Sequence, residues 1–195
     1  MKLTLYKEII NCLQNRKLPI TIEYLRELTE KFAGTKEETL YSIADQLNQR
    51  RAKATLWKHS RESNTLFETI LNCLLCTSVG EEYETFLKKK LRESNIAFLD
   101  ENVLRKDGYD KTPDIKLEVP IGVNGKVVNW IESKALFADE ECHKTYLKEQ
   151  LWSYWNRFGS GLVIYWFGYI DDLNFQDEKG IQIMDEFPTE FVQPS

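Results

Sequence analysis

The chain has 195 residues, 42% of them hydrophobic, and a net charge of -5. This length buries a core without disulfide staples, and Cys12, Cys73, Cys76 and Cys142 show no framework spacing, no signal peptide is legible and no apolar run could span a bilayer, so the expected setting is a reducing intracellular compartment, nucleus or cytoplasm. The acidic balance excludes a generic polyanion binder, so any nucleic-acid contact must come from local basic patches.

Residues 3–61 predict three helices: "LTLYKEIINCLQ", "TIEYLRELTEKF" opened by Pro19 and Thr21, and a long helix from near Thr35, with Glu38 completing a capping box. The late part of the third carries Arg50, Arg51, Lys53, Lys58 and Arg61 and no acid from residue 46 to 61, a pattern that suits phosphate contact and equally suits a solvated helix end. "TLFETILNCLLC" predicts an apolar helix on which Cys73 and Cys76 serve as small buried hydrophobes. Gly80 then opens "EEYETFLKKKLRES" as a separate helix.

Beyond residue 94 the period shifts toward two. "NIAFLD" predicts a strand, "ENVLRKDGYDKTP" a polar loop, and residues 115–134 a hairpin about Asn124-Gly125. "DEECHKTYLKEQLWSYWNRF" predicts a helix stopped by Gly159, with its leading acids favourably placed at the N-terminus and His143 as a lone exposed side chain. "GLVIYWFGYI" reads as a strand covered on both faces, ended by the acids at 171–172, and "GIQIM" as a last strand. From residue 80 onward the order is helix, three strands, helix, strand, which predicts an α/β sandwich.

The hairpin is where chemistry concentrates. A two-residue loop at Asn124-Gly125 places Ile115 opposite Lys134 and mixes apolar with charged on both faces. A three-residue loop over 123–125 sets Asp114 against Lys134 and Lys116 against Glu132, leaving one apolar face and one charged end, and is the expected register. It gathers Asp114, Glu132 and Lys134 at the sheet end away from the turn. Two carboxylates suit a hard divalent cation such as Mg²⁺ (or Mn²⁺), and the ammonium suits the water or phosphate beside it. By spacing alone an ordinary surface ion cluster stands on equal terms.

"PD" at 113–114 and "ESK" at 132–134 resemble the motif of PD-(D/E)XK nucleases, and the element order over residues 80–184 resembles their restriction-endonuclease-like αβββαβ core. "GEEYETFL" resembles a first-helix segment whose glutamate joins the metal site, matched by Glu84 with Glu82 in reserve. "QLWSY" resembles the QxxxY motif of exonuclease-type members, with Gln150 and Tyr154 one helical turn apart on a face shared with Tyr146. "GYDKTPD", "WIESKA", "QLWSYWNRFG" and "GLVIYW" together resemble the TPD-motif family of this superfamily. That resemblance implies an N-terminal all-α, helix-turn-helix-like region over 1–62, a connecting helix over 63–79 and a nuclease-like domain over 80–195. It also implies metal ligation by Asp114, Glu132 and Glu84, catalytic roles for Lys134, Gln150 and Tyr154, and, in animals, a codanin-1 partner. The segment before Gly80 is shorter than animal members imply.

Two functions of different class follow. One is a divalent-metal-dependent nuclease acting on DNA or RNA, favoured by the intact Asp, Glu and Lys. The other is a nuclease-fold protein-interaction module with little or no catalysis, favoured by the acidic charge. A sequence-reading DNA module in the N-terminal bundle is a third. Resolvase relatives dimerise, and the aromatic surface leaves room for a homodimer.

Overall fold

The computed structural model describes residues 1–15, 22–56, 64–175 and 180–194, with side chains described throughout these except 22–23, 51–56, 64–77 and 174–175. The chain divides into two units, Met1–Val79 and Gly80–Ser195.

The first unit holds α1 (Leu3–Gln14), α2 (Ile22–Lys31), α3 (Glu37–Leu56) and the start of α4 (Asn64–Glu93). Their apolar positions recur at helical spacing, so Ile9 and Leu13, Leu25 and Leu28, and Leu40, Ile43 and Leu47 are each buried. The Tyr24 hydroxyl donates to the Cys12 carbonyl at 3.1 Å and ties α2 to α1. Gly80 does not open a new helix: α4 runs unbroken through it for 30 residues, since a single glycine weakens a helix by only about 1 kcal/mol.

In the second unit β1 (Phe98–Asp100), β2 (Ile115–Val123), β3 (Lys126–Lys134), β4 (Gly161–Tyr165) and β5 (Ile181–Met184) form one sheet in that order. β1, β2 and β3 pair antiparallel, whereas β4 and β5 run parallel to β3. The crossover from β3 to β4 is α6 (Glu140–Tyr146), a π turn (Leu147–Leu151) and α7 (Trp152–Phe158). The α4 side chains Leu87 and Leu91 join Ile115, Leu117, Ile131, Leu162 and Ile164 in the core on one face of the sheet. The alternating residues of β3 and β4 meet the crossover instead: Trp130 meets Tyr154 edge to face, and Tyr165 meets His143 in the same way. This is a mixed α/β protein with helices on both faces.

Several sequence expectations are corrected. "ENVLRK" is not loop but a short helix, α5 (Glu101–Lys106), because Asp100 accepts the Val103 N–H at 3.1 Å as an N-cap and Arg105 pairs with Glu101 one turn on. β4 ends at Tyr165, five residues short of the expected strand end, where the chain turns and the Gly168 N–H donates to the Tyr165 carbonyl at 2.8 Å. The acids at 171–172 therefore open a 3₁₀ turn, Asp171–Phe175, rather than end a strand.

The hairpin corrects the expected register. Its loop is the two-residue Asn124-Gly125, both at positive φ (50° and 74°), with Val123 opposite Lys126 and Ile121 opposite Val128. Farther out the register shifts between Lys116 and Ile121, so that Lys116 faces Trp130 and Ile115 faces Ile131. Pro120 lies in the irregular stretch, where it has no N–H to offer a ladder. The shift is odd, so Val128 and Ile131, three apart, reach the same core. A single continuous register could not bury both.

Gly161 permits the closest approach in the unit. A Cβ there would lie 2.1 Å from the Trp130 ring, whose Nε1 donates to the Gly159 carbonyl at 2.8 Å. Gly161→Ala is expected to lower stability by about 3 kcal/mol through overpacking, read as a shift in the urea midpoint.

Candidate active site

The register shift decides which charged groups meet. Asp114 ends the loop before β2 and comes to lie against Glu132 and Ser133, not opposite Lys134 as the unshifted hairpin implies. Asp114 Oδ2 accepts the Ser133 backbone N–H at 2.8 Å, and Glu132 Oε2 accepts the Asp114 N–H at 3.2 Å. Lys116 points its ammonium at the neighbouring Leu117 carbonyl (2.6 Å) and takes no part.

Glu132 and Lys134 are two apart on β3 and share a face. Lys134 Nζ lies 2.8 Å from Glu132 Oε1 and 4.7 Å from the centre of the Tyr146 ring. Glu132 is 2% exposed, so this pair is shielded from water. Burial alone would pull the Lys134 pKa down, but Glu132 and Asp114 outweigh it and hold the amine protonated well above its usual range. Lys134 is therefore a fixed cation, suited to offset negative charge rather than to take up a proton.

The carboxylates are shifted the other way. Lost hydration and then the Glu132 charge push Asp114 up from 3.8 to about 8, while burial raises Glu132 against the pull of Lys134. Glu84, half-buried on α4, is raised by burial and by Asp114, which puts it in the field of the same cluster, whereas Glu82 is exposed. An excess of buried negative charge is what a bound cation relieves, and an all-oxygen donor set fits Mg²⁺ or Mn²⁺. Among the described residues, no three acidic, His or Cys side chains already converge as a closed ligand set.

The crossover helix carries the remaining expected residues. The π turn at 147–151 inserts an extra residue per turn, so Tyr146, Gln150 and Tyr154 do not form the single straight stripe that α-helical spacing implies. Tyr146, not Gln150 or Tyr154, covers Lys134. Gln150 Oε1 is buried and accepts no hydrogen bond from the described residues. The Tyr154 ring is buried against Trp130 at 5.4 Å, and burial followed by the Glu132 and Asp114 charges raises its pKa. His143 is not exposed: it is 2% accessible, with Nδ1 2.9 Å from the Tyr165 hydroxyl, and burial pushes its pKa down to about 4.

Glu101 was hidden in the sequence by the reading of its segment as loop. It accepts from Arg105 at 2.6 Å and from the Thr112 hydroxyl at 3.3 Å, and its charge bears on both Asp114 and Glu84. The Asp100 cap with Arg105 one turn after Glu101 was the available signal.

Of the basic residues expected at phosphate, Arg50 is half-buried and lines a groove of about 410 Å³ with Lys7, Tyr6 and Leu47. Arg51 and Lys53 lie on α3, with side chains outside the described residues; Lys58 and Arg61 lie outside them altogether, as do the side chains of Cys73 and Cys76.

The molecule is thus an α/β protein with two carboxylates and a lysine clustered where the loop before β2 meets β3. The chain belongs to the family described as "Protein of unknown function TPD sequence-motif", whose model matches residues 48–187. It is 60% identical over 115 residues to CDAN1-interacting nuclease 1 of Xenopus laevis, covering 59% of this chain and 38% of that one. It is 63% identical over 113 residues to the Danio rerio protein of the same name (58% and 38%), and 54% identical over 115 residues to that of Homo sapiens (59% and 41%). The chain spans about two fifths of the length of these relatives. No solved structure matches it. Among the described residues no helix is long and apolar enough to cross a membrane.

The raised Asp114 pKa has a signed consequence. The folded chain holds this proton up to about 8 and the unfolded chain only to 3.8, so the folded state binds more protons in between and loses stability as pH rises. Asp114→Asn keeps an acceptor for the Ser133 N–H and removes the charge. In EDTA it is expected to unfold later than wild type at pH 8 by on the order of 1–2 kcal/mol, a gap that closes by pH 4, as measured by thermal unfolding across that range.

Proposed function

We propose that the chain is a divalent-metal-dependent nuclease of the PD-(D/E)XK type, hydrolysing phosphodiester bonds of DNA or RNA. The observation that carries this reading is the mutual hold of Asp114 and Glu132, Asp114 accepting the Ser133 N–H of β3 and Glu132 accepting the Asp114 N–H, beside an ammonium fixed by Glu132. The word nuclease in the relatives' names supports it. Asp114 and Glu132, with Glu84, would hold Mg²⁺ or Mn²⁺. When bound, such an ion acidifies a water and polarises a phosphate oxygen. Ser133 and Lys134 fix the two carboxylates through hydrogen bonds, so their lone pairs are oriented before any ligand arrives. Lys134, kept protonated and covered by Tyr146, places positive charge where a phosphoryl oxygen gains negative charge. The half-buried Arg50 and the other basic residues of α3 would supply phosphate contacts.

A second reading rests on the relatives' names, which describe them as CDAN1-interacting. On that reading the same fold serves as a codanin-1-binding module, and the Lys134–Glu132 bond is an internal ion pair.

The two separate on a panel of labelled single-stranded, duplex and branched DNA and RNA, with Mg²⁺, Mn²⁺ or EDTA. The nuclease reading expects cleavage with metal, none in EDTA, and a loss of roughly 100-fold or more in Lys134→Ala and in Asp114→Ala. Folded wild type that cleaves nothing on the panel, yet captures purified codanin-1, would transfer the function to the second reading.

A further inference from the structure

The loop at 107–114 carries Asp114 to the sheet, and its residues are tied to the helices beside it. Arg157 of α7 donates from Nη1 to the Lys111 carbonyl at 2.8 Å and pairs through Nη2 with the Asp110 carboxylate. Its guanidinium lies 6.0 Å from the centre of the Tyr109 ring, which itself packs on Phe158 at 5.5 Å. In the opposite direction, Lys111 donates from Nζ to the Glu149 carbonyl at 2.7 Å. That carbonyl belongs to the π turn, where the i→i−4 ladder gives way to longer bonds. The helix side chain thus grips the loop backbone and the loop side chain grips the helix backbone.

These ties lie at the surface: the Arg157 and Asp110 side chains are 35% and 74% exposed. Exposed pairs of this kind add little to global stability. What they do join is specific. One end is the segment that ends in Asp114, and the other is the helix that carries Tyr146 over Lys134. Thr112, the next residue, is buried and bonded to Glu101 of α5, so the loop is held up to the residue before Pro113.

We infer that Arg157 and Lys111 are positioning residues that clamp the Asp114 loop to the crossover helix and so set the place of the Asp114 carboxylate relative to Lys134. The kinetic consequence rests on the nuclease reading above; the geometric one does not. Without the clamp the loop gains freedom on its exposed side, Asp114 leaves the Ser133 N–H for part of the time, and the carboxylate pair is no longer oriented in advance. A displacement of about 1 Å at such a group lowers turnover by up to 100-fold.

The test uses the full chain as wild type, Arg157→Ala, Arg157→Lys and Lys111→Met. Amide hydrogen exchange at Ser133 reports the Asp114 placement directly, whether or not the protein is active, with Leu162 in the same sheet as the reference. In Arg157→Ala the Ser133 amide is expected to exchange roughly tenfold faster while Leu162 is unchanged and the unfolding midpoint moves by no more than about 3 °C. Arg157→Lys, which keeps the charge but loses the fork, is expected to fall between the two, and Lys111→Met to act in the same direction as Arg157→Ala. On the best substrate of the panel, kcat falls roughly ten- to hundredfold in Arg157→Ala with KM nearly constant. Unchanged Ser133 exchange in Arg157→Ala overturns the inference, and so does acceleration of Ser133 and Leu162 together, which would mark the contacts as merely structural. Wild type that cleaves nothing removes the nuclease reading, and the Ser133 exchange still decides the clamp.

Discussion

The arrangement of the second unit depends on the break in register between β2 and β3. Near the tight Asn124-Gly125 turn the strands pair in one register, and beyond Pro120 they pair in another offset by an odd number of residues. The offset keeps Val128 and Ile131 in one core and turns Trp130, Glu132 and Lys134 toward the crossover helix. It also brings Asp114 against Glu132, a pairing that electrostatics alone opposes. Two carboxylates with little water around them repel and hold protons, and Lys134 and two backbone N–H groups offset this in part. A fold that keeps such a cluster gives up stability there, and preorganised sites are where that trade recurs.

The crossover helix converts this cluster into a site with walls. Its π turn moves Tyr146 over the Lys134 ammonium while Tyr154 fills the space behind Trp130, and neither placement follows from a straight helix. Gly161 lets the Trp130 indole press against β4, and the indole N–H reaches the Gly159 carbonyl at the end of the helix. The buried His143–Tyr165 contact closes the same layer. Because burial holds His143 neutral well below 6.5, this contact favours folding near neutral pH and weakens as pH falls toward 4. Asp114 acts in the opposite sense, so the two largely offset each other between about 4 and 6.5, and above that range Asp114 alone lowers stability.

The acidic net charge and a nucleic-acid substrate are compatible on these terms. A cation held by the carboxylates would change the local sign, and Lys134 already presents a fixed positive group beside them. Lys7 and Arg50 meet at one groove of the helical unit, which is the kind of local patch an acidic protein needs for phosphate contact.

Much of this was legible in the order of residues. Period-2 and period-3.6 patterns marked the sheet strands, α1, α2 and the crossover, because they record which side chains leave water. The spacing of Glu132 and Lys134 put both on one strand face, because strand geometry fixes that locally. α5 was missed because its six residues carry no full apolar period, although Asp100 and the Glu101–Arg105 pair announced it. The exposed reading of His143 failed because its partner, Tyr165, is 22 residues away. The hairpin register failed for a related reason: a turn of two residues fixes pairing only nearby, and the break at Pro120 answers to the demands of two cores at once. The sequence by itself thus determined the elements, the charged motif and the family resemblance, since these rest on local geometry and residue chemistry. Which carboxylate meets which neighbour, and which tyrosine covers the lysine, only the tertiary structure decided, because those contacts depend on a strand offset and a helical turn that packing imposes from outside each segment.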